Sequence, residues 1–269
     1  MSAALYAKRQ GIVSQIPNFW PLVFESAPPE IDAYIQPSDS ELFGQCLTGL
    51  DVKRFEVPLG PEKIEQGAEG GDPRSVLIRF EFAENEWFED TVLEKKFWWR
   101  RSRDGWTGLV SEPVKIHWKK GKDLTHGLLD GAIELWEARK QRGDMRARDL
   151  PAFDWLSRLL DNWNGANTSF FTWFGYVSSR RWVSAEESVT ATEAEKERRQ
   201  KITDGKVQEG EEEEELADPE DELLEQQVEV HDEGDTLASV IAEDLWSGAI
   251  KYFSECEVAV SMQANADPN

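Results

Sequence analysis

The chain has 269 residues, and its 53 acidic side chains outnumber 30 basic ones, for a formal net charge of −23. That surplus argues against duplex nucleic acid as the dominant ligand, because affinity for such a polyanion comes mainly from Lys and Arg neutralising phosphates. Charged residues at 31% point to solvated segments, yet 12 Trp and 13 Phe require a real core.

Leu5, Ile12, Val13 and Ile16 fall on one helical face, so residues 1–16 read as a helix interrupted at Gly11. Pro17 ends it, since proline has no N–H and clashes with the preceding turn. Trp20, Val23 and Phe24 begin a second short stripe. Ser38 and Glu41 have the spacing of a capping box ahead of Leu42, Phe43, Cys46, Leu47 and Leu50. Cys46 reads there as a small core residue rather than a nucleophile.

The period then changes to two. Val76, Ile78, Phe80 and Phe82 alternate with Leu77, Arg79 and Glu81; Leu93, Phe97 and Trp99 share a face with Lys95. Val114, Ile116 and Trp118 alternate with Lys115, His117 and Lys119, and a further strand is expected near "LDVKRFEV". The expectation is an antiparallel sheet of about four strands whose apolar face is backed by helices, an α+β fold.

Helical spacing returns from Leu128 to Leu160, and "TSFFTWF" follows with Thr168 as its expected cap. Residues 184–234 hold few large hydrophobes, many Glu and no sustained period, and read as a disordered acidic insert. Leu237, Val240, Ile241 and Leu245 then predict a last helix over 235–255 that packs back on the fold, with a disordered tail at 256–269. The resulting organisation is a helix at 1–16, a domain at 17–183, the insert and the returning helix.

Two cysteines cannot staple a chain this long, and no spaced Cys/His set exists for zinc, so no metal or cofactor is expected. The N-terminus lacks the apolar core of a signal peptide, and no apolar run approaches the roughly 20 residues needed to cross a bilayer. The reading is an intracellular chain with no membrane partner. No phosphate-cradling glycine loop or nucleophile elbow is present, so catalysis is not expected. A Cys46–His117 pair is the remaining enzymatic alternative.

Five blocks carry a resemblance: "YAKRQGIVSQIPNFW", "ENEWFEDTVLEKKF", "VKIHWKKGKDLT", "SFFTWF" and "LASVIAEDLWSGAIKYF". In this order they resemble the nucleosome assembly protein family, within it the SET-like branch. The resemblance implies an "earmuff" α+β domain preceded by a dimerisation helix, here short, so a homodimer is expected only if that short helix suffices. It implies a non-enzymatic, nuclear histone chaperone, shuttling with the cytoplasm, that binds core histones through acidic surfaces. It also implies an alternative role, as scaffold or regulator of a histone acetyltransferase or phosphatase.

The residues expected to meet histones are of two kinds. Glu211, Glu212, Glu213, Glu214, Glu215, Asp218, Glu220, Asp221 and Glu222 form the acidic block. Asp235, Thr236, Glu243 and Asp244 match the family's last helix by position. Lys119, Lys120 and Lys122 form the clearest basic patch and are the candidates for a weak or indirect DNA or partner contact. "KERRQK" at 196–201 is a weak candidate import signal.

Overall fold

The computed structural model describes residues 3–57, 71–163, 168–204 and 225–256. Helix α1 spans Ala3–Val13 and includes Gly11. It docks rather than standing free. Tyr6 stacks on Trp246 at 4.1 Å, and the Arg9 guanidinium lies over both rings while donating to the Trp246 carbonyl at 2.5 Å. The chain turns after α1 through Asn18, in the left-handed region at φ 55, and α2 follows at Phe19–Glu25. A short helix α3 occupies Pro29–Asp32.

Helix α4 spans Pro37–Cys46, and its cap lies two residues before the expected Ser38. Gln36 is its N-cap, and the Gln36 N–H donates to Asp39 at 2.9 Å. Proline at the first helical position fixes that start, because its missing N–H is unneeded there. Asp39 is buried and also accepts from Ser169 Oγ at 2.6 Å and the Phe170 N–H at 2.8 Å. Burial pushes its pKa up, against those three hydrogen bonds.

The sheet has four antiparallel strands in the order β1 (Leu47–Lys53), β2 (Val76–Phe82), β3 (Val92–Arg101) and β4 (Thr107–Ser111). The strand count meets the expectation, but one member differs. The alternating segment around Val114–Trp118 forms no ladder; it is pinned pointwise. Val114 N–H donates to Phe174 O, Lys119 N–H to Trp87 O, and a single bridge joins Phe88 to Trp118. Its period of two reflects Ile116 turning inward from an extended chain. The fourth strand is instead the short "TGLVS", whose outer edge is covered by a bridge from Val110 to Ser178.

The main core lies between one sheet face and α2, α4 and a 3-10 turn at Phe170–Gly175. Phe80 is at its centre, with ring contacts to Phe24, Phe170, Trp173 and Phe174. Each such aromatic contributes about 1.5–3 kcal/mol by leaving water. The turn is capped by Ser169, not Thr168, through the Phe171 N–H. Lys95 does point inward with Leu93 and Phe97, and it is wholly buried. Its ammonium donates to the carbonyls of Glu112, Phe174 and Tyr176 at 3.0, 3.1 and 2.9 Å. Three carbonyls offset much of the cost of burying that charge, and desolvation still holds its pKa well below the ordinary lysine range.

A smaller core forms where α5 (Leu128–Arg142) meets α6 (Pro151–Asn162). Here the structure corrects the expected insert at both ends. Residues Ala185–Thr203 form helix α7, and Val228 and Val230 are buried against α5 and α6. The missing apolar period at 184–203 has a physical reason. Helix α7 is anchored by polar contacts at its first turns and solvated beyond them. Ser184 caps it through the Glu187 N–H, Glu187 pairs with Arg181, and Ser188 Oγ accepts from the Arg101 N–H. Further along, Glu195 pairs with Arg198 and Arg199, and that pairing lowers its pKa to about 2. The block from Glu211 to Glu222 lies outside the described residues.

The last helix begins as α8 at Gly234–Val240 and passes into a π-helical turn at Ile241–Leu245; the chain is helical again over 249–256. Leu237, Ile241 and Leu245 are fully buried, as the stripe requires. No helix among the described residues is long and apolar enough to cross a membrane.

Candidate functional site

Two helix starts converge on one edge. Helix α3 starts at Pro29 and carries acidic Glu30 and Asp32, both exposed, in its only turn. Helix α8, packed against α3, is preceded by exposed Asp232 and Glu233 and carries Asp235 in its first turn. Acidic side chains suit helix N-termini, where free N–H groups give a partial positive charge.

Two tyrosines report the resulting field. The Tyr34 phenol is raised above its usual pKa by burial, then by the charges of Glu233 and Asp232. Tyr252 is pushed up to about 12 by burial, then by Asp244, Glu255 and Glu30. Its hydroxyl donates to Asp244 Oδ2 at 2.8 Å. Carboxylates thus gather in two neighbouring groups, Asp232 and Glu233 about Tyr34, and Glu30, Asp244 and Glu255 about Tyr252. Glu30, Asp32, Asp232, Glu233, Asp244 and Glu255 are all exposed. Such an array holds mobile cationic partners by charge, with little fixed geometry.

Of the expected residues in this helix, Asp235 is half-buried, with the Thr236 N–H on Oδ1 at 3.0 Å. Thr236 is exposed. Glu243 leaves the edge to pair with Arg54 at 2.9 Å, with its side chain 65% exposed. Sequence reasoning missed Glu30, Asp32, Asp232, Glu233 and Glu255. The "PEID" start of α3 was a readable signal. Asp232 and Glu233 were hidden because their segment reads as part of the insert.

A model of the nucleosome assembly protein family matches residues 3–256. The chain belongs to that family. A putative nucleosome assembly protein of Schizosaccharomyces pombe is 35% identical over 130 residues, which are 45% of this chain and 48% of that protein. Protein SET of Drosophila melanogaster is 31% identical over 163 residues, 58% of this chain and 51% of SET. The chain matches about half the length of each of these two relatives. The solved Vps75 histone chaperone superposes with a TM-score of 0.52 at 18% identity, covering 95% of this chain and 85% of that one, a likeness of fold.

In this family member the lysine patch is largely engaged. Lys119 Nζ donates to the Asn85 carbonyl at 2.5 Å, and Lys122 pairs with Glu86 above the Trp87 ring. Lys120 is exposed. Two of the three histidines and Cys46 are also engaged. His117 Nδ1 lies 2.8 Å from Asp90, while Cys46 Sγ donates to Leu42 O, and burial raises its thiol to about 11. His231, expected in the insert, is instead buried beside Thr172 Oγ1 at 2.9 Å. Among the described residues no group of three or more His, Cys, Asp or Glu is placed to hold a metal ion.

Proposed function

We propose that this chain is a nuclear histone chaperone that binds core histones by charge and shape, without catalysis, and supports nucleosome assembly. The observation that carries the reading is the acidic edge shared by α3 and α8 in a member of the nucleosome assembly protein family. Core histones are strongly basic, and a field of exposed carboxylates attracts them at long range. Such contacts are surrendered one by one, which suits a carrier that must give its cargo up.

The block from Glu211 to Glu222 extends the same charge along the chain. Its preceding helix α7 is rooted at Arg101 and Arg181, and its following segment at Arg139. The test is a titration of the intact chain with the histone tetramer and the histone dimer at several salt concentrations. Binding whose affinity falls steeply with salt supports the reading. Salt-insensitive docking to an acetyltransferase or phosphatase, with no histone binding at low salt, overturns it.

A further inference from the structure

A cleft opens between α5, the segment at 175–182 that is held to β4, and the returning segment at 225–229. It encloses about 510 Å³, counting its open mouth. Leu135, Leu156 and Val228 give it apolar walls. Trp136 and Trp182 also line it, with ring centroids 4.9 Å apart and planes at 85°. Clefts of this kind take small groups, which a few polar atoms orient.

The polar lining differs in what it has left to offer. Three guanidiniums are present, and each already has a carboxylate. Arg139 grips Glu225 at 2.8 and 3.0 Å, Arg181 grips Glu187 with two hydrogen bonds, and Arg180 lies 3.9 Å from Asp104. An anion would have to displace one of those carboxylates. Glu229 is in a different state. It is half-buried in the cleft, accepts the His231 backbone N–H at 3.2 Å, and forms no ion pair among the described residues. Lys95 of β3 is the cation whose charge reaches it, but that ammonium donates to three main-chain carbonyls instead. Burial pushes the Glu229 carboxyl up to about 8; the Lys95 charge works against that rise and Asp232 adds to it. His231 beside it stays neutral.

We propose that this cleft takes the side-chain ammonium of a lysine from a basic peptide, with Glu229 as counter-ion and Trp136 and Trp182 as aromatic walls. Indole faces attract cations, more strongly where water is excluded. The lysine stem is apolar and suits Leu135 and Val228. A compact ammonium is favoured over a guanidinium fork, because three guanidiniums already rim the space. Binding ionises Glu229, so a proton leaves as the lysine enters. Affinity therefore rises about tenfold per pH unit from pH 6 toward 8 and levels above it, while the lysine itself stays charged. The cleft shares no residue with the acidic edge, and the proposal does not rest on the histone reading.

The test uses the full chain, isotopically labelled, and N-acetyl-lysine methylamide at physiological salt. Binding is read at the indole N–H resonances of Trp136 and Trp182. The same probe acetylated on its side-chain nitrogen carries no charge and is the comparison. Glu229→Gln keeps the shape and removes the counter-ion. Glu134→Gln, on the exposed face of α5, removes one carboxylate outside the cleft and controls for overall charge. Trp182→Leu removes an aromatic wall and leaves Glu229 in place. Circular dichroism checks that each variant folds, and Trp182→Leu decides the matter if Glu229→Gln does not. The expected result is saturable shifts at both indoles, with the charged probe bound at least tenfold more tightly than the acetylated one. Glu229→Gln loses at least tenfold in affinity at pH 8 and loses the pH dependence, Trp182→Leu also binds more weakly, and Glu134→Gln is unchanged. Equal binding of the acetylated probe, full affinity in Glu229→Gln or Trp182→Leu, or no shift at either indole overturns the proposal. So does inorganic phosphate binding in place of the lysine probe.

Discussion

The Arg139 guanidinium grips the Glu225 carboxylate with two hydrogen bonds, at 2.8 and 3.0 Å, across 86 residues of sequence. Arg139 also donates to the Ala147 carbonyl at 3.0 Å and lies over Phe153. Both partners are mostly buried, at 9% and 16% side-chain exposure. The pair fastens the segment after the acidic block to α5, and Val228 and Val230 then seal it onto the smaller core.

Arg139→Ala leaves Glu225 sheltered and unpaired and opens space beside Phe153. The expected loss is about 3–5 kcal/mol of unfolding free energy, measured in urea. Arg139→Met combined with Glu225→Leu recovers most of it, because the uncompensated charge is gone. A single-variant loss under ~1 kcal/mol contradicts a buried, well-made pair.

The same segment sets a pH dependence. His231 is depressed to about 3 by burial, then by the Lys95 charge. Its ring lies against Tyr34 and Thr172, and its backbone N–H donates to the Glu229 carboxylate. The unfolded chain therefore binds more protons between pH 3 and 6.5, so stability falls as pH drops through that window. Glu229 acts oppositely. Burial raises it to about 8, so stability falls as pH rises from about 4.5 to 8. His231→Asn flattens the acid limb, and Glu229→Gln flattens the alkaline one. Urea titrations across pH check both, and an unchanged acid limb in His231→Asn contradicts the assignment.

What the sequence revealed follows from which physical pattern each segment used. The stripe of Leu237, Ile241 and Leu245 and the alternation of Val76, Ile78 and Phe80 are burial periods, and both appear in the structure. Helix α7 has no such period because polar anchors, not an apolar face, hold it; propensity and i,i+4 pairs sustain the rest. Val228 and Val230 are too few to stand out beside many carboxylates, so their burial was invisible. Val114 to Trp118 alternates like a strand because any extended chain does, whether or not a neighbour pairs with it. The acidic edge was half legible. Asp235 and Asp244 can be placed by position in the last helix, whereas Glu30 arrives from more than two hundred residues away, and only packing brings it near.

Glu233 holds the left-handed conformation at φ 53 just before Gly234. A residue with a Cβ pays roughly 1–2 kcal/mol there. Glu233→Gly is expected to raise unfolding free energy by about 0.5–1 kcal/mol while removing one carboxylate from the edge. Stability that rises while histone affinity falls marks a strained residue kept for its charge. A fall in stability contradicts the strain.

The most direct test neutralises the edge without touching the core. The chain carrying Glu30→Gln, Asp232→Asn, Glu233→Gln and Asp244→Asn is titrated with the histone tetramer and the histone dimer beside the intact chain, at low and at physiological salt. The account predicts weaker binding and a smaller salt dependence, with secondary structure retained. Unchanged affinity and unchanged salt dependence in the neutralised chain would contradict the acidic edge as the site of histone binding.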